Sequence, residues 1–368
     1  MGKVLVNICA IAGIIVVALV LFDVFQTIIV PRISSRHLRI APVLVGVIFW
    51  PIVKGISELP MFKRQRNAIL EAFAPLSFII LMLTWLTILV IGYGLILYSM
   101  RTTMTPPLHN FFQACYFAGT SVLTLGFGDV VAFGVKARCV VLAAATSGLL
   151  FMALAVSYLF SLQSLVQQRE QLVNTLISRA GAPASGLVLL LRYKELNIMA
   201  AMNANFLQWE HWTAGILESH RAYPLLLYFR STTNVDSWLS VLGAMLDAAS
   251  IMMTSLSEVS AGEAELFYWI ACSTVKTLST YIDLDVETDE TMEFSDFAAG
   301  LSLLRESGYN AKDDQHAWKL FKIRRSGYQP YLRALCKHLS APPQTWIEEL
   351  AISQISVKDS IADSRFQP

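Results

Sequence analysis

Charged residues are scarce in this 368-residue chain, at 15% against a hydrophobic share of 55%, and the mean hydropathy is +0.54. Soluble proteins carry about 25% charge, so a wholly water-soluble chain is excluded, and so is disorder of its bulk. Cysteine is sparse as well. Five are present, an odd number, at positions 9, 115, 139, 272 and 336, and the lack of a pairing rhythm excludes a disulfide scaffold. Several signatures of catalysis and sensing are missing: there is no P-loop, no His-Glu-x-x-His zinc helix and no Gly-x-Gly-x-x-Gly turn between strand and helix. No apolar run bears arginines at every third position, so steep voltage sensing has no source. The chain reads as a non-enzyme without a cofactor. His211, His220, His316 and His338 are scattered, and Cys272 and Cys336 stand alone, so packing is their default role.

What is present divides in two. Residues 1–164 hold 11 Lys and Arg against 4 Asp and Glu, net +7; residues 165–368 hold 17 against 23, net −6. The front is apolar and basic, and the back is acidic and long enough for one domain with its own core. Long apolar runs occupy Val4–Phe22, resuming from Val24 to Val30, then Ala72–Ser99 and Cys139–Leu165. Each meets the roughly 20 residues that a bilayer crossing needs. The first run is not a signal peptide: only Lys3 precedes it as a base, it is too long, and no small-residue cleavage site follows. Ile40–Val53 is shorter and broken by Pro42 and Pro51, so it suits a membrane-associated piece better than a span. If it does not cross, Arg32, Arg36, Arg39, Lys54, Lys63, Arg64 and Arg66 all stay on the cytoplasmic side. This favours three spans with the N-terminus outside. Asp23 then lies within the first span, where an acid faces protein rather than lipid, and a neighbouring arginine is its expected partner.

Between the second and third runs lies His109-Asn-Phe-Phe-Gln-Ala-Cys-Tyr-Phe-Ala-Gly-Thr-Ser-Val-Leu-Thr-Leu-Gly-Phe-Gly-Asp129. Residues 109–122 suit a short helix opened by Pro106-Pro107. Gly126 and Gly128 oppose its continuation, but they permit positive φ, and alternating handedness turns successive carbonyls to one side. Rings of such carbonyls replace the hydration shell of a potassium ion.

Here the chain resembles the potassium-channel pore loop, Thr-x-x-Thr-x-Gly-Tyr/Phe-Gly-Asp, supplied as Ser121-x-x-Thr124-Leu125-Gly126-Phe127-Gly128-Asp129. It departs by Ser121 for Thr, Leu125 for Val or Ile, and Phe127 for Tyr. The resemblance implies a filter in which Thr124 gives its hydroxyl and carbonyl at the inner end. Leu125, Gly126 and Phe127 would give carbonyls, and Gly128 would close the outer end. Asp129 would brace the filter from behind, with Ser121, Tyr116 and Phe117 as further support. Phe127 lacks the Tyr hydroxyl, and its packing against Tyr116 or Phe117 would hold the filter's width. Gly148, 20 residues after Gly128, stands where inner helices of this family often bend; a gating hinge and a site of close helix packing are both open. Only one such loop occurs, so a carbonyl ring needs several chains, and the family implies four with cyclic symmetry.

Strand alternation is scarce in the back half, which reads as all-helical. Gln167–Ile177 looks like the inner helix continuing, Gly181–Gly186 a hinge or linker. Leu187–Arg192 with Leu196, Met199, Met202, Phe206 and Trp209 keeps helical spacing. Further helices fit Ser237–Ser257, Glu263–Tyr281, Met292–Ser307, His316–Ile323 and Pro330–Leu339. The acidic run Asp283–Asp296 fails as a calcium loop, with Thr288 for the required Gly and Phe294 for the required Glu. Glu218–Ser231 followed by Ser237-Trp-Leu239 resembles the cytoplasmic domain of some uncharacterised bacterial pore-loop channels, and Asp23-x-Phe25-x-Thr27 fits the same group. That implies a bacterial inner membrane and names no ligand for the domain.

The expectation is an all-α membrane protein with three parts: 1–67, a span and a basic segment with a short membrane-associated helix at 40–53; 68–166, the pore; 167–368, a cytoplasmic helical domain. Its expected function is a homotetrameric potassium-selective channel, possessing no metal site beyond K+ in the filter and no nucleic-acid partner, with its C-terminal domain's ligand unidentified. A non-selective cation channel and a non-conducting tethered scaffold are the alternatives.

Overall fold

A computed structural model of the protein describes residues 3–29, 43–231, 236–257, 260–287, 292–344 and 346. Arg32, Arg36, Arg39 and the start of the 40–53 segment lie outside them. The chain divides into two compact units. The first is Met1–Leu165 with Arg221–Phe229, the second Val166–His220 with Arg230–Pro368.

The first unit is built on α1 (Lys3–Ile28), α3 (Arg66–Ser99) and the front of α5 (Val135–Ala180). All three are long and apolar enough to cross a membrane. The 46 residues of α5 would extend about 69 Å at 1.5 Å per residue, well beyond one bilayer core. Val43–Phe49 forms a π-helical turn that leads into α2 (Trp50–Glu58).

Small residues bring α1 onto α3. A methyl group at Gly13 would meet the Gly92 carbonyl at 2.6 Å, so these backbones touch. The core beneath holds Val17, Val20 and Val24 of α1 with Leu81, Trp85, Leu89 and Tyr93 of α3. Asp23 is 3% exposed, and Trp85 Nε1 donates to its Oδ2 at 2.7 Å. The buried acid expected to meet an arginine therefore has an indole N–H as a partner. Trp85 also meets Phe151 of α5 edge-on, and Phe78 stacks on Tyr158.

One piece of the first unit comes from far along the chain. Residues Arg221–Phe229, with a 3-10 turn at Pro224–Tyr228, pack within it. The Tyr228 ring lies 5.1 Å from that of Trp50 and 5.4 Å from that of Phe73, while Tyr223 lies 5.3 Å from Tyr158.

The second unit is helical: the end of α5, then α6 (Gly186–Glu195), α7 (Ala200–Ala222, up to His220), α8 (Trp238–Ser255), α9 (Gly262–Tyr281), α10 (Phe294–Glu306), α11 (Asp314–Ser326) and α12 (Gln329–Leu339). The spacing read across 187–209 is interrupted at 196–199, where Asn197 takes φ 54°, a left-handed conformation that asparagine tolerates. The central helix α8 is capped reciprocally by Ser237 and Ser240. It too is long and apolar enough to span, but 94% of it is buried, and it packs on α6, α9, α11 and α12 as the core of its unit. Two charged clusters are also buried there. Arg169 pairs with Glu170 at 2.8 Å. Asp247 accepts from Tyr328 at 2.5 Å and from Gln344, with Arg325 at 3.6 Å.

Candidate functional site

The motif begins on α4 (Phe111–Val122), which packs on α3. Asn110 caps it, its side chain accepting from the Gln113 N–H at 2.8 Å, while the Gln113 amide accepts from the His109 N–H at 2.8 Å. Helix therefore starts two residues later than the proline pair suggested. On either side of the loop, Met104 and Thr105 (β1) pair antiparallel with Ala132 and Val131 (β2). This short ladder ties the entrance of α4 to the exit of the loop.

At the C-terminus of α4 the chain reverses. The carbonyl of Thr120 accepts from the N–H groups of Leu125 at 2.8 Å and Gly126 at 3.4 Å. Backbone handedness then alternates: φ is positive at Thr124 (56°), Gly126 (57°) and Gly128 (78°), but not at Leu125 or Phe127 between them. Left-handed backbone is free of penalty for the two glycines and costly for Thr124. Threonine holding that conformation points to a loop whose shape is set by its surroundings.

The support residues divide. The Tyr116 hydroxyl lies near the Asp129 carboxylate, bringing the middle of α4 close to the far end of the loop. Ser121 is buried, and its hydroxyl donates to the Phe117 carbonyl at 2.8 Å. Phe117 faces the core between α3 and α4. Phe127 is 66% exposed and Leu125 54%, and Phe127 makes no ring contact with Tyr116 or Phe117 among the described residues. Within one chain the expected packing of Phe127 is therefore absent.

Gly148 lies under the end of α4. A methyl group there would stand 1.8 Å from the Val122 carbonyl oxygen, and α5 runs unbroken through it. Two further residues, which the motif did not reveal, hold the site. Thr120 anchors the reversal through its carbonyl. Tyr93 of α3 bonds Ser147 at 2.7 Å and donates to the Ala143 carbonyl at 3.2 Å, locking α3 to α5 beside Gly148. Backbone acceptors carry no sequence signal, and Tyr93 sits among glycines in an otherwise apolar run.

Residues 79–164 match the family model described as "Ion channel". The match covers most of α3, all of α4 with its loop, and α5 as far as Ser164, so every proposed filter and support residue falls inside the ion-channel region. The chain is an all-α membrane protein. It is also 23% identical over 196 residues to the uncharacterized membrane protein YdjJ of Bacillus subtilis, covering 52% of this chain and 56% of that one. The chain thus spans about half the length of the curated relative it matches. No solved structure matches it.

Proposed function

We propose that this chain is one subunit of a tetrameric, potassium-selective channel of a bacterial inner membrane, passive and without enzymatic chemistry. The observation that carries the reading is the alternating handedness at Thr124, Gly126 and Gly128. That backbone pattern suits the turning of successive carbonyls to one side, where they replace water around a dehydrated cation. Leu123 to Asp129 are exposed in the single chain. An exposed strip bearing Leu125 and Phe127 suits enclosure by three further copies about an axis. In this reading Asp129, with Tyr116 near it, braces the loop from behind, and Ser121 stiffens the helix that carries it. The second unit lies in the cytoplasm and modulates conduction through α5 and through Arg221–Phe229, which it returns to the first unit.

The test is the reversal potential of purified protein in a bilayer with potassium on one side and sodium on the other. The expected value is close to the potassium equilibrium potential, with current lost in Gly126→Asp. A reversal near zero would assign a non-selective cation pore instead.

A further inference from the structure

Where α5 ends, the second unit contains an open cavity of about 420 Å³ between the last turn of α5, α6 and the front of α7. Among the described residues its charged lining is Arg179 and Arg192, with no carboxylate. Neither arginine makes an ion pair among the described residues. Both are held in place by neutral acceptors. Arg192 donates to the carbonyls of Ser178 at 2.8 Å and Arg179 at 3.3 Å, and Arg179 donates to the Tyr193 hydroxyl at 3.0 Å and to Asn205 Oδ1 at 3.4 Å.

Closing off a helix end explains one nitrogen of Arg192. It does not explain the remaining donors. A guanidinium carries five N–H groups, and here most have no acceptor among the described residues. Tyr193 accepts from Arg179 and keeps its own proton to donate. Asn205 is 4% exposed, with Oδ1 committed to Arg179, and its buried amide nitrogen has no acceptor among the described residues. An unpaired buried donor costs about 1–3 kcal/mol, so the Asn205 amide beside the two half-buried arginines is incomplete as it stands. The lining also supplies the opposite chemistry: Leu196 and Ile198 are exposed apolar side chains.

From this we infer that the cavity is a binding site for a small organic anion, a phosphate monoester or a carboxylate with an apolar body. The anionic group would lie against Arg179, Arg192 and Asn205, and the apolar body against Leu196 and Ile198. The volume falls within the range of small-molecule sites, about 300–1,000 Å³. A dianion would neutralise the two arginines, and planar guanidinium groups match phosphate and carboxylate oxygens. None of its lining residues falls within 79–164, so the inference does not depend on whether that region conducts. Arg179 does lie on the helix that supplies the third apolar run, so a bound anion would act on that helix's end.

The probe is phenyl phosphate, titrated calorimetrically into the full-length protein in nanodiscs of phosphatidylcholine, with benzoate, inorganic phosphate and phenol as comparators. Phenyl phosphate or benzoate should bind more tightly than inorganic phosphate, and phenol should not bind. Arg179→Gln should weaken binding at least about tenfold, the loss of one charge-assisted contact. Ala204→Phe starts from an exposed lining position, so it should fill the cavity and block binding while leaving helical content unchanged. Adding phosphatidate to the nanodisc separates sources: competition assigns the phosphate to a lipid headgroup, and its absence to a soluble ligand; either supports the site. Absence of binding by both anions up to about 10 mM, weaker than any specific affinity, would overturn the proposal. So would equal binding by wild type and both variants.

Discussion

The indole nitrogen of Trp85 donates to the carboxylate of Asp23 at 2.7 Å, joining α1 to α3 within the apolar part of the chain. Trp85 is fully buried and also meets Phe151 on α5, so one side chain contacts all three long helices of the first unit. Removing the acceptor leaves a buried N–H unpaired. Asp23→Leu should lower the unfolding free energy in detergent by about 1–3 kcal/mol, while Asp23→Asn, which keeps an acceptor, should lose less than half of that. Thermal melts followed by tryptophan fluorescence measure both. Equal stabilities for the two variants would show that the bond contributes nothing.

Gly148 invites a direct contest between bending and packing. Packing is what its surroundings dictate, because a methyl group would stand 1.8 Å from the Val122 carbonyl, a backbone atom that cannot swing away. Gly148→Ala should therefore push the end of α4 off α5, destabilising the first unit by about 1–3 kcal/mol or more. It should also disturb Thr124–Gly128, which hang from that helix end. If the variant melts like wild type and only its gating changes, the hinge role is the correct one.

Local chemistry made the loop of alternating handedness legible. Glycine spacing, the aromatic helix before it and the apolar runs around it all lie within a short stretch, and none needs a distant partner. The central helix of the second unit was equally readable from Ser237 and its apolar run. Three features were not. The bond of Asp23 to Trp85 was not foreseen, because an indole N–H in an apolar run gives no charge signal. The contact of Gly13 with Gly92 depends on the register of two helices far apart in sequence. The segment from Tyr223 to Tyr228 reads as part of the C-terminal domain, and its ring contacts with Trp50, Phe73 and Tyr158 have no local sign. Long-range packing of aromatic rings leaves no local pattern.

That aromatic segment yields its own test. Tyr228 makes ring contacts with Trp50 and Phe73, worth about 0.5–1.5 kcal/mol each beyond area burial. Tyr228→Ala should weaken the hold of Arg221–Phe229 on the first unit. If the second unit modulates the pore through this segment, open probability should change severalfold with the reversal potential unaltered, and Tyr228→Phe should behave like wild type. A Tyr228→Ala channel with unchanged open probability would leave α5 as the sole route between the units.

His220 sets a pH limit on the second unit. It is buried against Trp238, its Nδ1 paired with the Ile216 carbonyl at 2.8 Å and its Nε2 without a partner among the described residues. Burial, reinforced by the Arg169 charge, depresses its pKa from the ordinary 6.5 to about 3. Below 6.5 the unfolded chain takes up a proton that the folded chain refuses until about pH 3, so folding stability falls as pH drops through that window. One such proton costs about 1.4 kcal/mol per pH unit, or about 2 kcal/mol at pH 5. His220→Phe retains a ring against Trp238 and removes the titrating group. Urea unfolding of the full-length protein between pH 7.5 and pH 5, a range set by this window, should show a wild-type slope steeper than the variant's by close to one proton. Equal slopes would mean that a different buried group, not His220, carries the acid sensitivity.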